Sequence, residues 1–315
     1  MFYTEVDIPE YPFRITYKDN LFWIGSCFTT NIGEAMKTLK FHCEVNPFGA
    51  LYNPISILSG LKIILNKQSL TGDDLFERNE LWNSFLFHSS FSNPDKTTAL
   101  DNMNKQLKEA SANLFNCNYL FITFGTAYSF ILKNSGQIVG NCHKIPAREF
   151  DHIRLSINYI TEEYNTFIKY ISKLLPGIKI VFSVSPIRHF KDGAHNNQIS
   201  KSILLMAIDE IVKTNENCFY FPSYEIVLDE LRDYRFYSKD MCHLSETAIE
   251  HILNKFTDTV IDADTHGIMK EIAKLNTLKA HRTFNANTNA HKKFIESIDL
   301  KEGELKNKYP YLNWV

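Results

Sequence analysis

Tyr119-Leu120-Phe121-Ile122-Thr123-Phe124 is an almost unbroken apolar run that stops at Gly125-Thr126. A strand with one wet face alternates apolar and polar residues, so such a run suits a strand covered on both faces, as in a parallel sheet between helices. Similar runs recur along the chain. Leu21 to Ile24 ends at Gly25-Ser26 and precedes Ile32, Met36 and Leu39 at helical spacing; Phe41 to Val45 ends in the turn Asn46-Pro47-Phe48-Gly49. Ile178 to Val184 ends at Ser185-Pro186, and Cys218 to Phe221 is a short fifth strand. Between them Ile55 to Ile64, Asp101 to Phe115, Ile157 to Leu175 and Ser200 to Val212 have helical patterning. The alternation predicts an α/β fold: a three-layer, doubly wound parallel sheet of about five strands with right-handed crossovers.

Residues 66–100 mix short aromatic clusters with polar turns and are expected to form a helical insertion over this sheet. A last clear helix is predicted after His243, with Ser245 as its N-cap. The organisation expected is one domain over 1–262 followed by a tail over 263–315. That tail holds nine Lys/Arg against six Asp/Glu and reads as solvated helix, with the small polar stretch 283–289 as a linker.

Thirty-four Lys/Arg face thirty-six Asp/Glu, a formal charge of -2, so no global field draws the chain to nucleic acid or anionic membrane. The first twenty residues lack a basic region followed by an apolar run, and no stretch approaches a membrane span, which predicts a cytoplasmic location. Six cysteines without a CxxC pair fit neither a disulfide scaffold nor a zinc ribbon and are expected to be reduced. His143, His189, His195 and His243 raise the possibility of a metal, but no HxxxH or HxH spacing supports one. Neither metal nor cofactor is expected.

In an open parallel sheet ligands bind beyond the carboxyl ends of the strands. This singles out Gly25-Ser26-Cys27, Asn46 to Gly49, Gly125-Thr126, Ser185 to His189 and the segment Asp240-Met241-Cys242-His243 before the last helix. Ser26 lies in a turn before a helix N-terminus, where free amides stabilise an oxyanion. Asp240 and His243 are three apart, which lets a carboxylate orient an imidazole. Ser26 could instead cap the helix, and Cys27 could be the nucleophile or a small core residue. Arg188, His189 and Lys191 could hold an anionic or polar group, or be ordinary loop charges.

Gly25-Ser26-Cys27-Phe28, Asn46-Pro47-Phe48-Gly49 with Tyr52-Asn53-Pro54, Asn141-Cys142-His143-Lys144, Ser183 to His189 and Asp240-Met241-Cys242-His243 together resemble the bacterial GSCFA-domain family, itself similar to the SGNH/GDSL hydrolases. The resemblance covers roughly residues 20 to 260, with Thr29 where the family name has Ala. It implies a flavodoxin-like sheet, a catalytic serine at Ser26, and Asp240 and His243 as its partners. It also implies Gly49 as an oxyanion donor, while Gly125-Thr126-Ala127 lacks the asparagine of the corresponding SGNH block. The Thr126 hydroxyl, Asn141 or His143 could replace it, with Gly125 and His189 lining the site.

The activity this implies is a Ser-His-Asp hydrolase or acyltransferase acting on an ester, with a small-molecule or glycan ester as substrate. A ligand- or glycan-binding module without catalysis is the alternative. The oligomeric state is open.

Overall fold

The computed structural model describes residues 4–281 and 288–314. In chain order the elements are β1 (Asn20–Gly25), α1 (Cys27–Thr38), β2 (His42–Val45), α2 (Pro54–Leu65), β3 (Phe76–Arg78), β4 (Leu81–Asn83), α3 (Lys96–Phe115), β5 (Tyr119–Phe124), β6 (Tyr128–Leu132), β7 (Gln137–Val139) and β8 (Phe150–Arg154). There follow α4 (Ile157–Leu174), β9 (Lys179–Val184), α5 (Ala194–Thr214), β10 (Cys218–Tyr220), α6 (Ser223–Glu225, continued as a π-turn over Ile226–Glu230), α7 (Glu246–Val260), α8 (Thr265–Ala280) and α9 (Asn289–Lys308).

Five strands pair in the order β10-β9-β5-β1-β2, every neighbour parallel. This is the flavodoxin-like order, and it confirms the predicted three-layer α/β architecture. The apolar runs are explained by which face each residue serves. Phe22, Ile24, Leu120, Ile122, Ile180 and Phe182 pack with Leu58 of α2, Met103 of α3, Tyr164 of α4 and Leu204 of α5. The intervening Leu21, Trp23, Tyr119, Phe121 and Val181 pack on the other side with Ile32 of α1 and Phe256 of α7. Trp23 lies flat on Phe121, ring centroids 3.8 Å apart. Each large side chain taken from water in this way contributes roughly 1.5–3 kcal/mol, so both faces drive the sheet together.

Helix starts follow their caps. Asn53 accepts from the Ser56 amide at 2.8 Å, Ser156 from Tyr159 at 3.2 Å, and the predicted cap Ser245 from Ala248 at 3.3 Å.

Three regions differ from expectation. Residues 66–100 are not a helical insertion: they hold the antiparallel pair β3–β4 and short 3-10 turns, with Asn79 and Glu80 both at positive φ where the hairpin reverses. A second, three-stranded antiparallel sheet in the order β7-β6-β8 is inserted after β5. It was signalled only by the short alternation over Tyr128 to Leu132 and a turn ending in Gly136, whose φ is 70°. The region after 263 is not simply solvated either. Ile272, Leu275, Ile298, Leu305 and Leu312 are buried in the same cluster as Trp23 and Phe256, and the Asn313 amide donates to the Lys40 carbonyl at 3.0 Å. The expected linker over 283–289 lies, for residues 283–287, outside the described residues.

Candidate active site

Strand β1 ends at Gly25, whose amide donates to Asn46 Oδ1 at 2.8 Å and whose carbonyl accepts from the Leu51 amide at 2.9 Å. Asn46 itself turns through φ 44°, and its Nδ2 donates to Thr30 Oγ1 at 2.8 Å. The loop after β2 is thereby clamped to the first turn of α1.

Ser26 is the N-cap residue of α1, but its hydroxyl makes no capping bond. It is 1% exposed, its Oγ has no hydrogen-bond partner among the described residues, and it does not line the crevice at the carboxyl ends of the strands. The next residue, Cys27, does line that crevice, which encloses about 500 Å³. In this geometry the hydroxyl expected to act as nucleophile is sealed from the crevice and hydrogen-bonds no base among the described residues. Thr29, also buried, lies behind it, consistent with a role in packing.

His243 lies on the same crevice. Its Nδ1–H donates to Asp240 Oδ2 at 2.6 Å, while Asp240 Oδ1 accepts from the amides of Cys242 at 3.0 Å and His243 at 2.9 Å. Those two amides, then the imidazole, hold the Asp240 carboxyl down at about 2. The carboxylate is charged throughout the physiological range and fixes the ring, leaving Nε2 free of partners among the described residues. The predicted Asp240–His243 pairing is thus formed.

The remaining expected lining residues divide. Thr126, Asn141 and His189 are on the crevice. Thr126 is committed, its amide to the Tyr52 carbonyl at 3.0 Å and its hydroxyl to Ser200 Oγ at 3.1 Å. Asn141 spends its Oδ1 on the His143 amide at 2.9 Å, while its Nδ2 has no partner among the described residues. Gly125, Gly49 and His143 do not line the crevice. The Gly125 amide is held by the Tyr52 carbonyl at 2.7 Å. Gly49, at φ 76°, is pressed against His88, where a Cβ would stand 2.3 Å from His88 Cβ. His143 is buried, donating from Nε2 to the Ser84 carbonyl at 2.8 Å and accepting at Nδ1 from Ser89 Oγ at 3.4 Å, so it is a structural residue. Burial also lowers its pKa, keeping it neutral.

Several residues on or beneath the crevice had weak or no sequence signal. The inserted sheet supplies one wall, where Phe130 and Tyr128 stack on His152 at 4.4 and 4.8 Å. Burial, then the nearby Lys201 and His243, push His189 down to about 4. Burial raises the Cys27 thiol, against the opposing pull of the Cys27 and Phe28 amides at the start of α1 and of the Lys201 ammonium.

Lys201 has no accessible surface and no acidic partner among the described residues; its Nζ donates to the Gly125 and Ser185 carbonyls, both at 2.6 Å. It ties together the chain just past β5 and β9. Burial, then Arg188, lower it from 10.5 to about 7. Between those values the unfolded chain holds a proton that the folded one has released, so stability rises with pH and the gain is absent below about 7. From pH 7 to 8.5 the gain attributable to Lys201 is on the order of 1–2 kcal/mol. Urea melts at the two pH values should show that slope in the wild type and its loss in Lys201→Met; equal slopes would refute it.

Among the described residues no three His, Cys, Asp or Glu side chains gather as a metal site, and no helix is long and apolar enough to cross a membrane. All six cysteines are free thiols.

Comparison with family models matches residues 20–256 to the GSCFA family and residues 272–315 to the GSCFA domain protein, C-terminal domain. No curated protein and no solved structure matches. The first match alone spans most of the chain, and the five-stranded sheet with its crevice falls inside it: the chain belongs to the GSCFA family.

Proposed function

We propose that this protein is a cysteine-dependent acyl-transfer enzyme acting on esters, with Cys27 as nucleophile, His243 as general base and acid, and Asp240 as the group that orients His243. The observation that carries the reading is that Cys27, the first residue of α1, lines the same crevice as an imidazole locked to a carboxylate. The likeness of the motifs to SGNH/GDSL hydrolases supports an ester as the scissile bond. A glycan ester also suits a crevice walled by Tyr52, Tyr128 and Phe130.

The thiol is raised by burial and rests protonated, so it needs a base. His243 Nε2 takes the thiol proton as sulfur bonds to the ester carbonyl carbon. The oxyanion is met by the Cys27 amide, in the helix first turn, and by Asn141 Nδ2. Collapse expels the alcohol, which leaves with the proton from His243, and a thioester remains on Cys27. Water, or an acceptor hydroxyl, gives its proton to His243, attacks the thioester and regenerates the thiol. The acceptor decides between hydrolysis and transfer.

Iodoacetamide is expected to stop p-nitrophenyl acetate turnover in step with carbamidomethylation at Cys27, resolved by peptide mapping from Cys142 on the same crevice. Turnover that survives complete alkylation of Cys27, or a fluorophosphonate adduct on Ser26, would overturn the assignment. Folded protein with neither turnover nor selective alkylation would point to the binding module instead.

A further inference from the structure

The loop from Pro186 to Lys191, between β9 and α5, carries polar groups that the acyl-transfer chemistry leaves unused. Arg188 lines the crevice, yet among the described residues no carboxylate pairs with it and its buried Nε has no hydrogen-bond partner. Its neighbour His189 likewise has a buried Nε2 without a partner among the described residues. Lys191 also lines the crevice, lying 5.8 Å over the Phe130 ring, and forms no ion pair among the described residues.

Neither acid nearby pairs with Arg188. Asp192, the one carboxylate on the crevice wall, faces His152 at 3.8 Å, and Asp240 is bound to His243. Arg188 lies 5.3 Å over the Phe190 ring, and the titratable groups that face it are Lys201, Tyr224 and Tyr237; none of these brings a negative charge. A guanidinium whose Nε is desolvated and unpaired is costly unless something supplies the missing charge and acceptors. A planar fork of donors at the edge of a substrate crevice is matched by a carboxylate or phosphate.

We infer that the ester substrate carries an anionic group, a carboxylate or phosphate, which Arg188 binds as the anchor with Lys191 and His189 beside it. This rests on the acyl-transfer reading only for the word substrate; the anion site itself stands on Arg188. An anion held there fixes the ester by its charged end while the carbonyl lies toward Cys27. Neutral esters lose that anchor.

Two measurements separate the two readings. Binding of glutarate and of inorganic phosphate is measured by calorimetry on wild type, Cys27→Ala and Arg188→Met, with circular dichroism to verify folding. The wild type and Cys27→Ala should bind at least one anion, and Arg188→Met should bind it about 10- to 100-fold more weakly. Turnover is then compared for p-nitrophenyl acetate, mono-p-nitrophenyl glutarate and acetyl phosphate. The glutarate ester places the charge in the acyl part and acetyl phosphate in the leaving group, so whichever is favoured over the neutral ester locates the anion. Arg188→Met should collapse that preference by the same factor, chiefly through KM. Equal anion binding by wild type and a folded Arg188→Met would overturn the anchor, as would no anion binding at all, even if Cys27 chemistry holds. Arg188-dependent binding with no turnover of any ester would keep the anion site and refute the acyl-transfer reading.

Discussion

Replacing Cys27 with alanine is expected to lower ester turnover by about 10⁴- to 10⁶-fold, the loss seen when the nucleophile of a concerted triad is removed. Ser26→Ala should do the opposite of what its place in the motif suggests. Its Oγ is buried and unpartnered, so the substitution removes an unsatisfied polar atom without breaking a bond. Stability should hold or rise slightly, and most of the turnover should remain. Because burial raises the Cys27 thiol, the wild-type rate should climb as pH increases above neutrality, as the proton becomes easier to remove. Steady-state kinetics on the two purified variants decide the matter. An active Cys27→Ala beside a silent Ser26→Ala would return the role to the serine.

Gly25→Ala should be the most destabilising single methyl in the site, costing at least about 3 kcal/mol. An added Cβ would stand 2.3 Å from the Thr123 carbonyl oxygen and 2.9 Å from both Thr123 N and Thr29 Oγ1. The first two are backbone of β5, the central strand, and cannot swing away as a flexible side chain can. Gly25 also has φ 147°, outside the range an L-residue with a side chain readily adopts. Relief requires β1 and β5 to part where Gly25 pairs with Thr123, which shifts the start of α1 and with it Cys27. Chemical denaturation should show the lowered midpoint, and any folded fraction should turn over ester more slowly than wild type. A Gly25→Ala protein with unchanged midpoint would contradict this packing.

Much of the fold was legible because burial on both faces leaves a strong signature. The run at Tyr119 to Phe124, the helix after Ser245 and the five-strand alternation all follow from periodicity and caps. The inserted sheet was not, since three strands of three to five residues with half-buried side chains carry little pattern. In the site, the turn at Gly25-Ser26-Cys27 and the Asp240–His243 pair were readable from residue type and spacing. Which of two adjacent side chains faces the crevice was not: that depends on Ser26 being the extended N-cap, ψ 175°, tucked against the sheet, and Cys27 the first helical residue. Lys201 was hidden for another reason. A lysine in an amphipathic helix reads as solvent-facing, and only the meeting of α5 with the ends of β5 and β9 buries it.

The burial of the last helices bears on how the chain is made. Lys40, just beyond α1, gives its carbonyl to the Asn313 amide, and Leu312 seals into the cluster that contains Trp23. A ribosome delivers the two partners in order, so the outer layer over β1 stays unclosed until residue 313 has been made. During that interval Trp23, Ile32 and Phe256 lack part of the apolar cover that Leu305 and Leu312 later supply.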